Sequence, residues 1–464
     1  MNFIFSLLAL EITGAFFILL VIRRTRYDYS VPELLTLSFF LGAGFVSYQL
    51  FLYHLSGIGF GFLNLIIVPV VLLILIFARY ASRPERIADL LPEKGNPRRW
   101  SRTEKLLAAG LFFQLLWIVL LVAPVPVHSH DAVANYALKA RIFHSAGGIP
   151  EGFFGWNEAT VAHPDYPLLL PFLMTWIYAF TGFNDLNVNM IMPVIYLAFL
   201  VLFYSQMKKL FSRQYSILLT FILGTTAQVA DYAVIIHADL ILTAFVTCAF
   251  VYFMLYVRTK DRICLILSSV LFGFSLWVKN EAMVFTGAFA AAAAASLVRS
   301  EPFQRRRALA DVVIAFAVVA ALAAPWFCLK FSGALAVNSD MDFSRLTSGR
   351  LWQNIRDIPI LLNFFQQEVF GPKKWNIFWI VLLAGAIWKR KTLWKGECFY
   401  VTFFLLLSAA GYFAAYMAMT GDTLFFYVNT TISRFMLHFC GAALLLLAYL
   451  LKDDIRAVAS FNTA

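Results

Sequence analysis

The stretch HSHDAVANYALKARIFH, residues 128–144, gathers three histidines, an aspartate, a lysine and an arginine directly behind a long apolar run. In a helix starting near Ser129, Asp131, Asn135 and Lys139 fall at i, i+4 and i+8, on one face. A carboxylate held there can take a proton from a hydroxyl or bind a cation. It can equally decorate the first turn of a surface helix, where negative charge is favoured. Further on, HPDYP (163–167) places two prolines around Asp165 and Tyr166, so these side chains and His163 have restricted directions. This knot can line a site or simply begin the next helix.

Three more interruptions of apolar sequence stand out. His237 and Asp239, in DYAVIIHADLILTAF, open an apolar run, where a carboxylate is costly and turns toward a cavity or a partner. Lys279, Asn280 and Glu281 break LWVKNEAMVF; a Lys–Glu pair there can be structural, or the lysine can bind an anion. Arg434 lies in NTTISRFMLHF, with His438 one turn on. Its guanidinium fork suits phosphate geometry, and snorkelling to a lipid headgroup is the plainer alternative.

The elements that must carry these residues are membrane spans. Of 464 residues, 61% are hydrophobic and 14% charged, too little polar surface to cover a soluble domain. Apolar runs of about 20 residues recur from end to end, each long enough to cross a hydrocarbon core of about 30 Å. The pattern predicts an all-α polytopic membrane protein with about thirteen transmembrane helices. The spans fall near 3–22, 32–54, 58–78, 106–124, 186–207, 215–233, 238–257, 263–279, 282–298, 308–328, 375–388, 397–419 and 431–451. The net charge of +11 reflects basic loops and not nucleic-acid binding. The clusters at Arg23–Arg26, 79–105, Lys208–Arg213, Arg258–Arg262, Arg299–Arg307, Lys389–Lys395 and Lys452–Arg456 all share one side if the N-terminus is outside and the C-terminus cytoplasmic. The first apolar run has no basic residues before it and reads as a retained span, not a cleaved signal. The cysteines form no CxxC pair and read as small hydrophobes.

Two long loops, 125–185 and 329–374, then lie outside. The first carries more acids (Asp131, Glu151, Glu158, Asp165) than bases (Lys139, Arg141). PLLLPFLMTWIYAFTG (167–182) is short and proline-marked, and is expected to be interfacial. In the second loop, Leu351, Ile355, Ile358, Leu362, Phe365 and Val369 form one apolar helical face, with a kink expected near Pro359. The basic loop 79–105 suggests a division into an N-terminal three-helix extension (1–105), a core (106–333) and a C-terminal part (334–464).

No Walker motif, GxGxxG or HExxH is present, which argues against cytosolic nucleotide chemistry. The ionisable residues collect on the outer side. Taken together, Asp131 soon after a span, HPDYPLLLP, Asp239 at a helix start, FGFSLWVKNE, SRFMLHF and ALKARIF resemble the integral-membrane GT-C glycosyltransferases. The resemblance is in particular to the bacterial members similar to protein mannosyltransferases and to the aminoarabinose transferase of lipid A. The resemblance covers about residues 106–451 and departs from the family in three preceding helices and in a single acid, His130-Asp131, where a pair is usual.

The resemblance implies a polyprenyl-phosphate sugar donor, an acceptor hydroxyl on a protein, lipid or glycan, inversion, and a bacterial cell membrane location. It implies Asp131 as general base. Lys139, His163, Asp165, Tyr166, His237, Asp239, Lys279, Glu281 and Arg434 would be substrate-binding residues. No cofactor is expected, and the single acid leaves a divalent metal open. The alternative reading is a transporter or lipid-linked-glycan flippase, which would carry charges along a path through the bilayer and often repeated halves.

Overall fold

The computed structural model describes residues 2–21, 29–81, 99–156, 161–333, 335, 355–419 and 421–461. The basic cluster Arg23–Arg26, most of the 79–105 loop, Glu158 and Leu351 therefore lie outside the described residues.

The expected spans are helices. The chain opens with α1 (Asn2–Val21), α2 (Val31–Leu55) and α3 (Phe62–Ala81), followed by α4 (Arg102–Val122). Ser101 and Glu104 set the start of α4 by a capping box: Glu104 N donates to Ser101 Oγ at 3.2 Å, and Ser101 N to Glu104 Oε2 at 2.7 Å. A π-helical stretch, Ala132–Ala137, runs into α5 (Leu138–Ala146). Then come α6 (Leu169–Thr181), α7 (Ile191–Leu210), α8 (Arg213–Thr225), α9 (Ala238–Thr259), α10 (Arg262–Ser275), α11 (Ala282–Val298) and α12 (Arg305–Phe331). The chain ends with α13 (Ile358–Phe370), α14 (Phe378–Trp388), α15 (Gly396–Met417) and α16 (Gly421–Phe461). Among the described residues, nine helices are long and apolar enough to cross a membrane. The protein is an all-α polytopic membrane protein.

The short helices are informative. A span needs about 20 residues, yet α8 has 13, α10 has 14 and α11 has 17. α8 stops before the segment that holds His237, and α10 and α11 flank the turn 276–281. Non-helical backbone at such depth is tolerated only where it is buried in protein or lines a cavity. These breaks bring polar residues to one end of the bundle.

The opposite end is basic and pinned by ion pairs. Arg213 Nε donates to Glu104 Oε1 at 2.7 Å, Arg262 Nε to Asp311 Oδ1 at 2.5 Å, and Lys209 Nζ lies 3.4 Å from Glu33 Oε2. Arg258 Nη1 also donates to Leu210 O at 2.8 Å, so the clusters Lys208–Arg213 and Arg258–Arg262 meet at this end.

α9 is the central strut, buried almost along its whole length, and packs on α7, α10 and α16. α1 crosses α2 at glycines: a Cβ on Gly14 would stand 1.8 Å from Ser38 O, and one on Gly42 2.0 Å from Leu10 O. α2 in turn packs on α6 and α7, which joins the N-terminal hairpin to the rest.

Two local expectations change. Pro359 falls in the first turn of α13, where its missing N–H costs nothing, so it starts the helix and does not kink it. Of the apolar stripe expected on this helix, Ile355, Leu362 and Phe365 are exposed, and Val369 is buried. α6 is as short as expected, but its residues from Leu169 to Tyr178 are buried, and Trp176 Nε1 donates to Ser6 O of α1 at 3.0 Å.

Candidate active site

Asp239 lies in the first turn of α9, fully buried, where the helix N-terminus favours a negative charge. Four cationic or imidazole groups from three other segments surround it. Lys279 Nζ donates to Oδ1 at 3.0 Å and His438 Nε2 lies 2.8 Å from the same oxygen. His237 Nδ1 pairs with Oδ2. Arg434 Nε reaches Oδ1 at 3.5 Å. Lys279 also bridges to Glu281 at 2.8 Å. Burial pushes the Glu281 carboxyl upward, and Lys279 more than offsets this, holding it below its ordinary value.

Asp131 is the solvent-facing member, its side chain 47% exposed. Its Oδ2 lies 3.0 Å from His237 Nε2 and 3.4 Å from Arg434 Nη2. The hydrogen bond with His237, helped by the charges of His237 and Arg434, holds Asp131 well below the usual carboxylate range. His237 Nε2 also stands 2.8 Å from Arg434 Nη2, so two groups contest one nitrogen. A neutral imidazole accepts there from Arg434; an imidazolium donates there to Asp131. The rings of Tyr136 and Tyr232 wall His237 at centroid distances of 5.6 and 5.4 Å.

A second group surrounds the HPDYP knot. Lys139 is completely buried, and its Nζ donates to His163 O at 2.5 Å. His163 has φ +50°, unusual for a side-chain-bearing residue that also precedes proline. Its ring stacks on Tyr166 at 4.4 Å. Asp165 is buried, with Oδ1 lacking a hydrogen-bond partner. Burial pushes its carboxyl up, against the pull of Lys330, His163 and Lys139. Lys330, in the last turn of α12, donates to Asn280 Oδ1 at 3.0 Å.

The structure therefore brings Asp131, His237, Asp239, Lys279, Glu281 and Arg434 into one network, and Lys139, His163, Asp165 and Tyr166 into a neighbouring one. The expected single face of Asp131, Asn135 and Lys139 does not form. The π-helical stretch between them takes more residues per turn, so four no longer close one, and Lys139 rotates away toward the HPDYP knot. Asn135 is buried. Arg434 does not open its helix either: α16 begins at Gly421, and the guanidinium turns inward to carboxylates and not to headgroups. His438, Tyr412, Asn280 and Lys330 join the networks without having been singled out as site residues. The i, i+4 spacing of Arg434 and His438 was the available signal for the first; Lys330 reads in sequence as an ordinary helix-end lysine. Among the described residues, no three His, Cys, Asp or Glu side chains are arranged to hold a metal ion.

The structure thus shows an all-helical membrane bundle with a buried ionic network at one end. Residues 165–326, about a third of the chain, match the family described as dolichyl-phosphate-mannose-protein mannosyltransferase, so over that segment the chain is similar to membrane glycosyltransferases of the GT-C type. The matched segment holds Asp165, Tyr166, His237, Asp239, Lys279 and Glu281. No curated protein and no solved structure matches the chain.

Proposed function

We propose that the protein transfers a sugar from a polyprenyl-phosphate donor to an acceptor hydroxyl on the extracytoplasmic face, with inversion. The observation that carries this reading is the Asp131–His237–Asp239–Arg434 network: one half-exposed carboxylate held against a buried ionic core. The basic ends of the helices lie opposite, which favours an outward site by the positive-inside rule.

In the reaction, the acceptor oxygen bonds to the anomeric carbon as that carbon's bond to the phosphate oxygen breaks. The bonding electrons leave with the phosphate, and the hydroxyl proton passes to Asp131. A carboxylate with depressed basicity is adequate here. Once its new C–O bond forms, the acceptor oxygen becomes an oxonium, far more acidic than a carboxylic acid. Until then the Asp131 anion also stabilises positive charge at the anomeric centre. His237, tied to Asp239, fixes the direction of Asp131. The lipid tail of the donor stays in the bilayer while its head enters the site, which accounts for catalysis at a membrane surface.

The test is to incubate the purified protein with a panel of polyprenyl-phosphate sugars and follow their consumption by mass spectrometry. Turnover of one donor in the presence of acceptor, lost in Asp131→Asn, is the expected result. Absence of turnover across the panel, with intact protein, would sink the reading.

A further inference from the structure

An anionic ligand needs cations whose charge and N–H groups are not already committed. Arg434 and Lys279 do not meet that need. Arg434 faces Asp131, Asp239 and His237, and Lys279 bridges Asp239 and Glu281. Asp131, Asp239 and Glu281 thus occupy both cations of this network.

The neighbouring group is different. Among the described residues, Lys139 Nζ has one hydrogen-bond partner, the carbonyl of His163, with the Tyr166 ring 5.8 Å away, and Lys330 Nζ has one, the side-chain oxygen of Asn280. Neither makes a direct ion pair among the described residues, and each ammonium has three hydrogens to place. Leu169 N donates to Trp277 O at 2.8 Å, which ties the chain just after HPDYP, where His163 holds Lys139, to the turn 276–281, where Asn280 holds Lys330. Two lysines against one aspartate leave one positive charge in excess. Asp165 Oδ1 is buried and has no hydrogen-bond partner among the described residues.

The turn 279–281 joins the two groups: Lys279 and Glu281 belong to the acidic one, and Asn280 holds Lys330 in the basic one. Tyr166 belongs to the basic group: its ring stacks on His163 and lies 5.8 Å from Lys139 Nζ.

We infer that the lipid phosphate of the donor is seated by Lys139 and Lys330, and that Arg434 serves the carboxylates instead of the phosphate. This rests on the glycosyl-transfer reading above and deepens it. An inverting displacement requires the attacking oxygen and the leaving oxygen on opposite sides of the anomeric carbon. A seat built from residues outside the Asp131–Arg434 network supplies that separation. The partnerless Asp165 oxygen is left to accept from a sugar hydroxyl.

The experiment measures binding to the full-length protein in detergent, with farnesyl phosphate as probe and farnesol as its uncharged control. Lys330→Gln is expected to weaken farnesyl phosphate binding about tenfold to a hundredfold, the worth of one charge-assisted contact. Farnesol binding should not change, and Lys330→Arg should keep most of the affinity. Lys139→Gln should behave like Lys330→Gln; because Lys139 is buried, the more accessible Lys330 carries the test if that variant misfolds. Arg434→Lys should bind farnesyl phosphate as wild type does. Wild-type affinity in Lys330→Gln, or a loss in Arg434→Lys as large as in the lysine variants, would overturn the assignment while leaving a phosphate-dependent enzyme. Failure of the wild type to distinguish farnesyl phosphate from farnesol would overturn the glycosyl-transfer reading with it.

Discussion

His438 Nε2 lies 2.8 Å from Asp239 Oδ1, and both side chains are fully buried. The other ring nitrogen, Nδ1, lies 2.6 Å from Tyr412 Oη. A neutral imidazole fits this chain in one sense only: Tyr412 donates to Nδ1, and Nε2–H donates to Asp239. Tyr412 therefore sets the tautomer that holds Asp239, which in turn fixes His237. Tyr412→Phe keeps the ring packing on Phe435 and removes the donor. We expect kcat to fall about tenfold, the worth of roughly one buried hydrogen bond, with donor KM unchanged. A fall in thermal stability with full kcat would make the chain purely structural.

Asp131 is the test of the chemistry. Asp131→Asn keeps the shape of the side chain but cannot take the acceptor's proton. Loss of a general base costs about 10²–10⁴ in rate. Because the side chain is 47% exposed, folding should be little affected. The variant should insert, bind donor and lose transfer. Full activity would move the base to another acid or remove the enzyme reading.

The sidedness of the site is open to labelling. Single cysteines at Ser145 and Arg102, both exposed, sit at opposite ends of the bundle. Cys328 is exposed and must first be replaced by serine. A membrane-impermeant thiol reagent on intact cells should reach Ser145→Cys and not Arg102→Cys. The reverse result would place Asp131 in the cytoplasm and exclude a donor flipped outward.

The spans were legible because hydrocarbon imposes length and apolarity on every crossing segment, and the basic clusters divided the helix ends. The site was legible where an ionisable residue broke an apolar run, as at His237, Asp239, Lys279 and Arg434. What sequence could not supply was rotation and depth. Asp131 and Lys139 share a face only in a regular α-helix, and the π-helical stretch separates them. Tyr412 carries its meaning through a contact with His438 on another helix, and an isolated tyrosine in an apolar run gives no sign of that. Lys330 was hidden because a lysine ending a span is what snorkelling alone predicts.

Lys139 gives the seat a pH dependence. Burial brings its ammonium down to about 7, with Asp165 pulling the other way. The groups facing it are Asp165, Lys330, His163 and Tyr166. A lipid-phosphate sugar is a phosphodiester and does not titrate near neutrality, so the charge that changes is the lysine's. Below about 7 Lys139 is charged and can hold the phosphate; above it the proton is lost. Donor KM should rise about tenfold per pH unit above that point, with kcat at saturating donor held. Unfolding cannot account for such a rise. Between about 7 and 10.5 the unfolded chain binds the lysine proton and the folded one does not, so this group makes the protein more stable as pH rises. Lys139→Arg, charged throughout, should give a flat KM profile. Thermal unfolding followed beside KM separates the effects. A KM independent of pH in the wild type, with stability intact, would show that Lys139 does not hold the phosphate.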